Sequence, residues 1–134
     1  LGKRLYANLT AMFAGELNEK KIPDKVMVYE INGPLFFGAA YKFKEALAQI
    51  DKPPKVMILR MRAVPMIDST GIHLLDESYR SFKRTDTTLI IAGIQPQVLG
   101  ALKRSGLSAK IGQKNIVKNL DKALKRAKEL LKRT

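Results

Sequence analysis

Met66-Ile67-Asp68-Ser69-Thr70-Gly71-Ile72 is the stretch on which the reading of this chain turns. It follows the short apolar run Val56-Met57-Ile58-Leu59 and opens a pattern in which Ile72, Leu75, Tyr79 and Phe82 recur on one helical face. A strand therefore ends before it, and a helix begins at Asp68-Ser69. Both residues are favourable helix caps. The same geometry points a serine hydroxyl outward beside the positive end of a helix dipole. Such a hydroxyl serves as a cap, or as a place where phosphate is attached or bound.

Working outward, strand and helix patterns alternate. Val26 to Ile31 is rich in β-branched and aromatic residues and predicts a strand, broken by Asn32-Gly33-Pro34. Phe36, Ala40, Phe43, Leu47 and Ile50 then fall at helical spacing, which predicts an amphipathic helix anchored on a sheet by Phe36 or Phe43. Lys55 to Met61 reads as a strand buried on both faces. The helix opened by Ser69 runs to about Lys83, and Thr87 to Ala92 is another buried strand. Pro96 to Arg104 predicts a helix closed by Ser105-Gly106, where glycine suits a left-handed C-cap. Ala109-Lys110-Ile111 reads as a short edge strand. Leu120, Leu124, Ala127 and Leu131 form the stripe of a final basic helix. Residues 1–24 read as a leader, with Leu5, Leu9, Met12 and Phe13 along one helical face ended by Gly15, then a linker. The remaining residues, 25–134, predict one α/β domain with parallel strand neighbours and right-handed crossovers.

Composition narrows the chemistry. The net charge is +13, from 25 Lys and Arg against 12 Asp and Glu. Residues 114–134 alone carry eight basic and two acidic side chains. That balance favours anionic partners: lipid headgroups, acidic proteins, nucleotides or nucleic acid. No cysteine is present, which excludes disulfides, thiol nucleophiles and cysteine metal sites. His73 is the only histidine, and it follows Ser69 by four residues on the same helix, so a Ser-His-Asp triad is not expected. Neither an enzyme, a metal site nor a cofactor is expected. No apolar run approaches the ~18 residues that cross a bilayer. Gly33 to Gly38 lacks the lysine of a phosphate-binding loop. Nothing resembles a helix-turn-helix, an RNP motif or a zinc finger, so no specific nucleic-acid partner is expected.

Asp68-Ser69-Thr70-Gly71 resembles the signature loop of the STAS domain, the module shared by sulfate transporters and anti-sigma factor antagonists. Ile31 to Ala40, with Gly33-Pro34-Leu35-Phe36-Phe37 at its centre, is similar to a segment of the cytoplasmic STAS domain that ends SulP-type anion transporters. The resemblance covers Lys25 to Leu131. It implies a single STAS-type domain over 25–134, with a mixed β-sheet core, a hairpin-like entry and helices packed mainly on one face. It implies that residues 1–24 follow a membrane region. The function implied is that of a cytoplasmic regulatory or assembly domain of a secondary-active transporter for sulfate, bicarbonate or a similar anion. The alternative is a free-standing anti-sigma factor antagonist switched by serine phosphorylation.

The resemblance makes Ser69 the candidate phosphorylation or switch site, with Asp68, Thr70 and Gly71 as contacts in the switch loop. Pro34, Phe36 and Phe37 are candidates for touching a ligand or partner. The final helix offers Lys122, Lys125 and Lys132 to anionic lipid. Expected partners are the transmembrane part of the same transporter, another cytoplasmic protein, and a nucleotide or anionic lipid. The expected location is the cytoplasmic side of the cell membrane, with the isolated fragment soluble.

Overall fold

Runs of β-branched and long apolar residues make the sheet, and the polar-apolar periodicities between them make its covering helices. The computed structural model describes residues 3–6 and 22–133. The order is β1 (Lys3–Tyr6), β2 (Val26–Asn32), α1 (Phe37–Ala48), β3 (Val56–Ala63), α2 (Ser69–Arg84), β4 (Thr88–Ala92), α3 (Pro96–Ser105) and α4 (Leu107–Ile111). A 3-10 turn (Gln113–Asn115), β5 (Ile116–Val117) and α5 (Leu120–Leu131) complete it. The strands lie in sequence order, β1 to β5. Val28 pairs with Ile58 and Ile58 with Ile90; one residue on, Tyr29 pairs with Leu59 and Leu59 with Ile91.

Successive strand residues point to opposite faces, and each face has its own core. Tyr29, Ile31, Leu59, Met61 and Ile91 pack with α1 to α4, where Phe43, Leu75 and Leu102 reach the sheet. Val28, Ile58 and Ile90 pack instead against Leu120, Ala123, Leu124 and Ala127 of α5. The division follows from topology. Right-handed crossovers that always advance in one direction leave their helices on one side of a parallel sheet. Among the described helices only α5, which follows β5, covers the other side. On that side Glu30 and Arg60 are register neighbours and form a buried ion pair at 3.4 Å.

The α/β class and the helices mainly on one face are as expected, and four expectations change. All four strand pairings among the described residues are parallel, so the sheet is not mixed there, and no hairpin is formed by β1 and β2. Leu5 lies in β1, paired with Tyr29, rather than on a leader helix; Leu9, Met12, Phe13 and Gly15 lie outside the described residues. Ala109-Lys110-Ile111 belongs to α4, not to a strand. Leu107 and Ile111 are both buried four residues apart, so they serve a helical face, and the short edge strand is β5 instead. Phe36 is 39% exposed and caps α1 in an extended conformation, while Leu35 and Phe43 are fully buried. The helix begins one residue later than the spacing suggested, which takes Phe36 off its buried stripe. Phe43 meets the Tyr29 ring edge-on, with centroids 4.9 Å apart.

Candidate functional site

Because β2 and β3 are parallel, their C-terminal ends emerge at the same edge of the molecule, the usual place for function in such sheets. There the two segments singled out in the sequence meet. The Gly33 amide donates to the Ala63 carbonyl at 2.9 Å, and the Leu35 amide donates to the Met66 carbonyl at 2.9 Å. Leu35 and Ile67 form an isolated parallel bridge. The first turn of α2 presses onto this bridge. A Cβ placed on Gly71 would lie 2.3 Å from the Leu35 carbonyl oxygen and 2.7 Å from the Ile67 side chain. Gly71 therefore does more than ease a turn. Its missing side chain is what lets the two segments lie together.

Asp68 caps α2: its carboxylate accepts a hydrogen bond from the Gly71 amide at 2.8 Å. Ser69 is the first helical residue, exposed, and it does not serve as the N-cap. The sequence offered two capping residues side by side, and the extended backbone of Asp68 decides between them. Thr70 and Pro34 are exposed and Gly71 is buried. Phe37 opens α1, and its side chain lies outside the described part. Met66, which sequence reasoning passed over, is 58% exposed on the strand-like segment that bridges to Leu35. The surrounding loops are tied down by two glutamines. Gln95 donates to the Arg62 carbonyl and Gln97 to the Pro65 carbonyl, each at 2.9 Å.

From Ser69 a groove of about 490 Å³ runs between α2 on one side and α3 and α4 on the other. Ile72, Ala101 and Leu107 are its apolar lining, and Ser69, His73, Asp76, Arg104, Ser105 and Lys110 its polar one. The Tyr79 hydroxyl donates to the Lys110 carbonyl at 2.8 Å and fastens α4 to α2. Asp76 receives both Arg80 and Lys110, the latter at 3.2 Å. The Arg80 hydrogen bond, with Lys110 adding to it, holds the Asp76 carboxyl below the usual carboxylate range. His73 pairs with Glu77 one turn on, at 2.6 Å. No sequence signal exposed this groove, because Arg104 and Lys110 reach Ser69 only through the fold. Among the described residues no three His, Asp or Glu side chains gather as metal ligands would.

Lys122, Lys125 and Lys132 are exposed on α5. The sheet separates them from Ser69, since α5 and α2 belong to opposite faces. The residues nominated from sequence thus form two surfaces. One combines exposed Pro34, Phe36, Ser69 and Thr70 at the strand ends, with half-buried Asp68 and buried Gly71 beneath them, and the other is the cationic side of α5.

Comparison with known proteins places this arrangement. The family described as the STAS domain matches residues 18–123. The Bacillus subtilis protein YvdB, whose name marks it as a candidate sulfate transporter, is 33% identical over 103 residues, which is 76% of this chain and 19% of YvdB. The crystal structure of a sulfate transporter family protein from Wolinella succinogenes superposes with a TM-score of 0.82 at 43% identity, covering 86% of this chain and 94% of that one. The STAS domain of a SulP transporter from Vibrio cholerae gives 0.74 at 30% identity, covering 93% of this chain and all of that one. The chain spans about a fifth of the length of YvdB. These relatives are named as transporter proteins or domains, and they do not favour the free-standing antagonist. With its two signature segments bridged side by side and the family match running through both of them, the chain belongs to the STAS family, as a domain of the SulP type.

Proposed function

We propose that this domain is the cytoplasmic regulatory and assembly module of a secondary-active transporter for an inorganic anion of the sulfate or bicarbonate type. The observation that carries the proposal is the Leu35–Ile67 bridge, which gathers exposed Pro34, Phe36, Met66 and Ser69 at one end of the sheet. Large apolar side chains left in water beside an exposed helix start suit a contact surface. Its partner in this reading is the transmembrane part of the same protein. The kinship with SulP-type domains supports the assignment. Anion movement itself would belong to that membrane part, because no helix among the described residues is long and apolar enough to cross a bilayer.

Ser69 acts in this reading as the switch of the contact surface. A phosphate there would add about −1.5 to −2 charge at a helix N-terminus, which favours it, next to Asp68, which opposes it. A partner would feel the change more than the helix does, since the surface it meets changes sign locally.

The test is expression of the complete open reading frame that contains this sequence. An antiserum raised against the domain should find it in the membrane fraction. Uptake of labelled sulfate or bicarbonate into vesicles should change when residues 25–134 are deleted or when Ser69→Asp is introduced. Recovery of the antigen only as a free soluble protein of about 15 kDa would overturn the assignment and return the antagonist reading. Unchanged uptake by Ser69→Asp, with intact folding, would remove the switch.

A further inference from the structure

We propose that the groove between α2 and α3–α4 receives an acidic amphipathic helix of a partner protein. The inference concerns the domain by itself, and it holds whether or not the chain is joined to a membrane part.

Three properties of the groove carry it. The first is shape. Ile72, Ala101 and Leu107 lie between helices in an open cleft of about 490 Å³. Those apolar side chains lie between two helices, where a ridge of side chains fits. An amphipathic helix presents such a ridge at i, i+3, i+4 and i+7.

The second is charge. Arg104 has no acidic partner among the described residues. Lys110 shares Asp76, which also lines the groove, with Arg80, and Arg80 lies within reach of Glu77 as well. Arg104 is thus the cation left uncompensated, among the described residues, beside the apolar part of the groove. Carboxylates flanking an apolar ridge would meet Arg104 and Lys110 while their leucines fill the groove.

The third is the field of the whole chain. A net charge of +13 draws acidic partners in and works against a second copy of the same chain. An extended bilayer could meet the Arg and Lys heads but could not follow the groove down to Leu107, which is buried.

The experiment uses the full 134-residue chain, labelled with nitrogen-15. The probe is a synthetic helical peptide with leucines at i, i+3, i+4 and i+7, flanked by glutamates. Its titration should move the amide signals of Ile72, Ala101, Arg104 and Leu107 along saturable curves. Arg104→Glu/Lys110→Glu should weaken the peptide by about tenfold or more, since two attractive rim contacts become repulsive. Both residues are exposed, so a thermal melt should find that variant folded. Lys122→Glu/Lys125→Glu, on the other face of the sheet, should bind as the parent does. A peptide with the same charges and alanine for leucine should lose the saturable response. The proposal is overturned if the shifts map to α5, if the Arg104/Lys110 variant binds equally, or if anionic vesicles move the same four signals as strongly as the peptide.

Discussion

Without the Asp68 carboxylate, the Gly71 amide loses its acceptor at 2.8 Å. Asp68→Ala should therefore cost about 0.5–2 kcal/mol in denaturant titration, as other N-caps do. Ser69→Ala, one residue inside the helix and exposed, should stay within about 0.5 kcal/mol. A larger loss from Ser69 than from Asp68 would mean that the cap has been assigned to the wrong residue. A second residue-scale effect lies in the core. The Tyr29 hydroxyl is buried and has no hydrogen-bond partner among the described residues. Burial pushes its ionisation up from 10.0 to about 12. The folded state thus holds the phenol proton more firmly than the unfolded chain. Stability from this source is complete below pH 10 and is lost as pH climbs toward 12. Tyr29→Phe should be neutral or stabilising by about 1 kcal/mol at pH 7, because it removes an unsatisfied polar group. It should also flatten the alkaline fall in stability measured between those two pH values. An unchanged alkaline limb would locate the titrating group elsewhere. At this scale the sequence named the right neighbourhood but not the division of labour. Asp68 and Ser69 look alike as caps, and only backbone geometry separates them. Gly71 looks like any turn glycine until the Leu35 carbonyl is found against it.

At the scale of elements, α5 is the clearest case of one sequence pattern with two faces. Leu120, Ala123, Leu124 and Ala127 are buried on the sheet, while Lys122, Lys125 and Lys132 are exposed. No broad apolar face is left for insertion into a bilayer, so lipid binding by this helix would be electrostatic. The expected result in co-sedimentation is binding to vesicles of mixed anionic and neutral lipid that fades as screening shortens from about 10 Å at 0.1 M salt to about 3 Å at 1 M. Lys122→Glu/Lys125→Glu/Lys132→Glu should abolish it. Equal binding by the triple variant would leave α5 as a solvated face and nothing more. The packing side of α1 is tested by Phe43→Ala, which should cost about 3–5 kcal/mol. Long, strongly periodic elements were legible in the sequence: β2, β3, β4, α2, α3 and α5 all fall within two residues of their expected ends. The short ones were not. Residues 107–111 form one helical turn and a fraction, and β5 has two residues, so neither repeats its period long enough to be read. Gly106 was legible as a stop, with its positive φ of 84°, but the same left-handed residue also starts α4 at once.

At the scale of the molecule, the two faces of the sheet are held differently. Four described helices cover one face, and α5 is the described helix on the other, where the Glu30–Arg60 pair is also buried. Taking one member from a buried ion pair usually costs about 3–5 kcal/mol, whereas replacing both by apolar residues is often neutral. Arg60→Met should accordingly destabilise strongly, and Glu30→Leu/Arg60→Met should recover most of the loss; additive losses in that cycle would show that the two side chains act independently. This pair was invisible to sequence reading because Glu30 and Arg60 sit 30 positions apart inside strands that read as wholly apolar at their centres. The α/β class, by contrast, was fully legible, since alternating periods of two and 3.6 allow few other layerings. Cover of the second face by one described helix has a further consequence for the life of the protein in a cell. A premature stop codon after Val117 would spare every described strand and the whole Ser69 surface, yet it would strip the α5 cover from Val28, Ile58 and Ile90. Such a lesion would announce itself through chaperone capture, proteolysis or inclusion bodies.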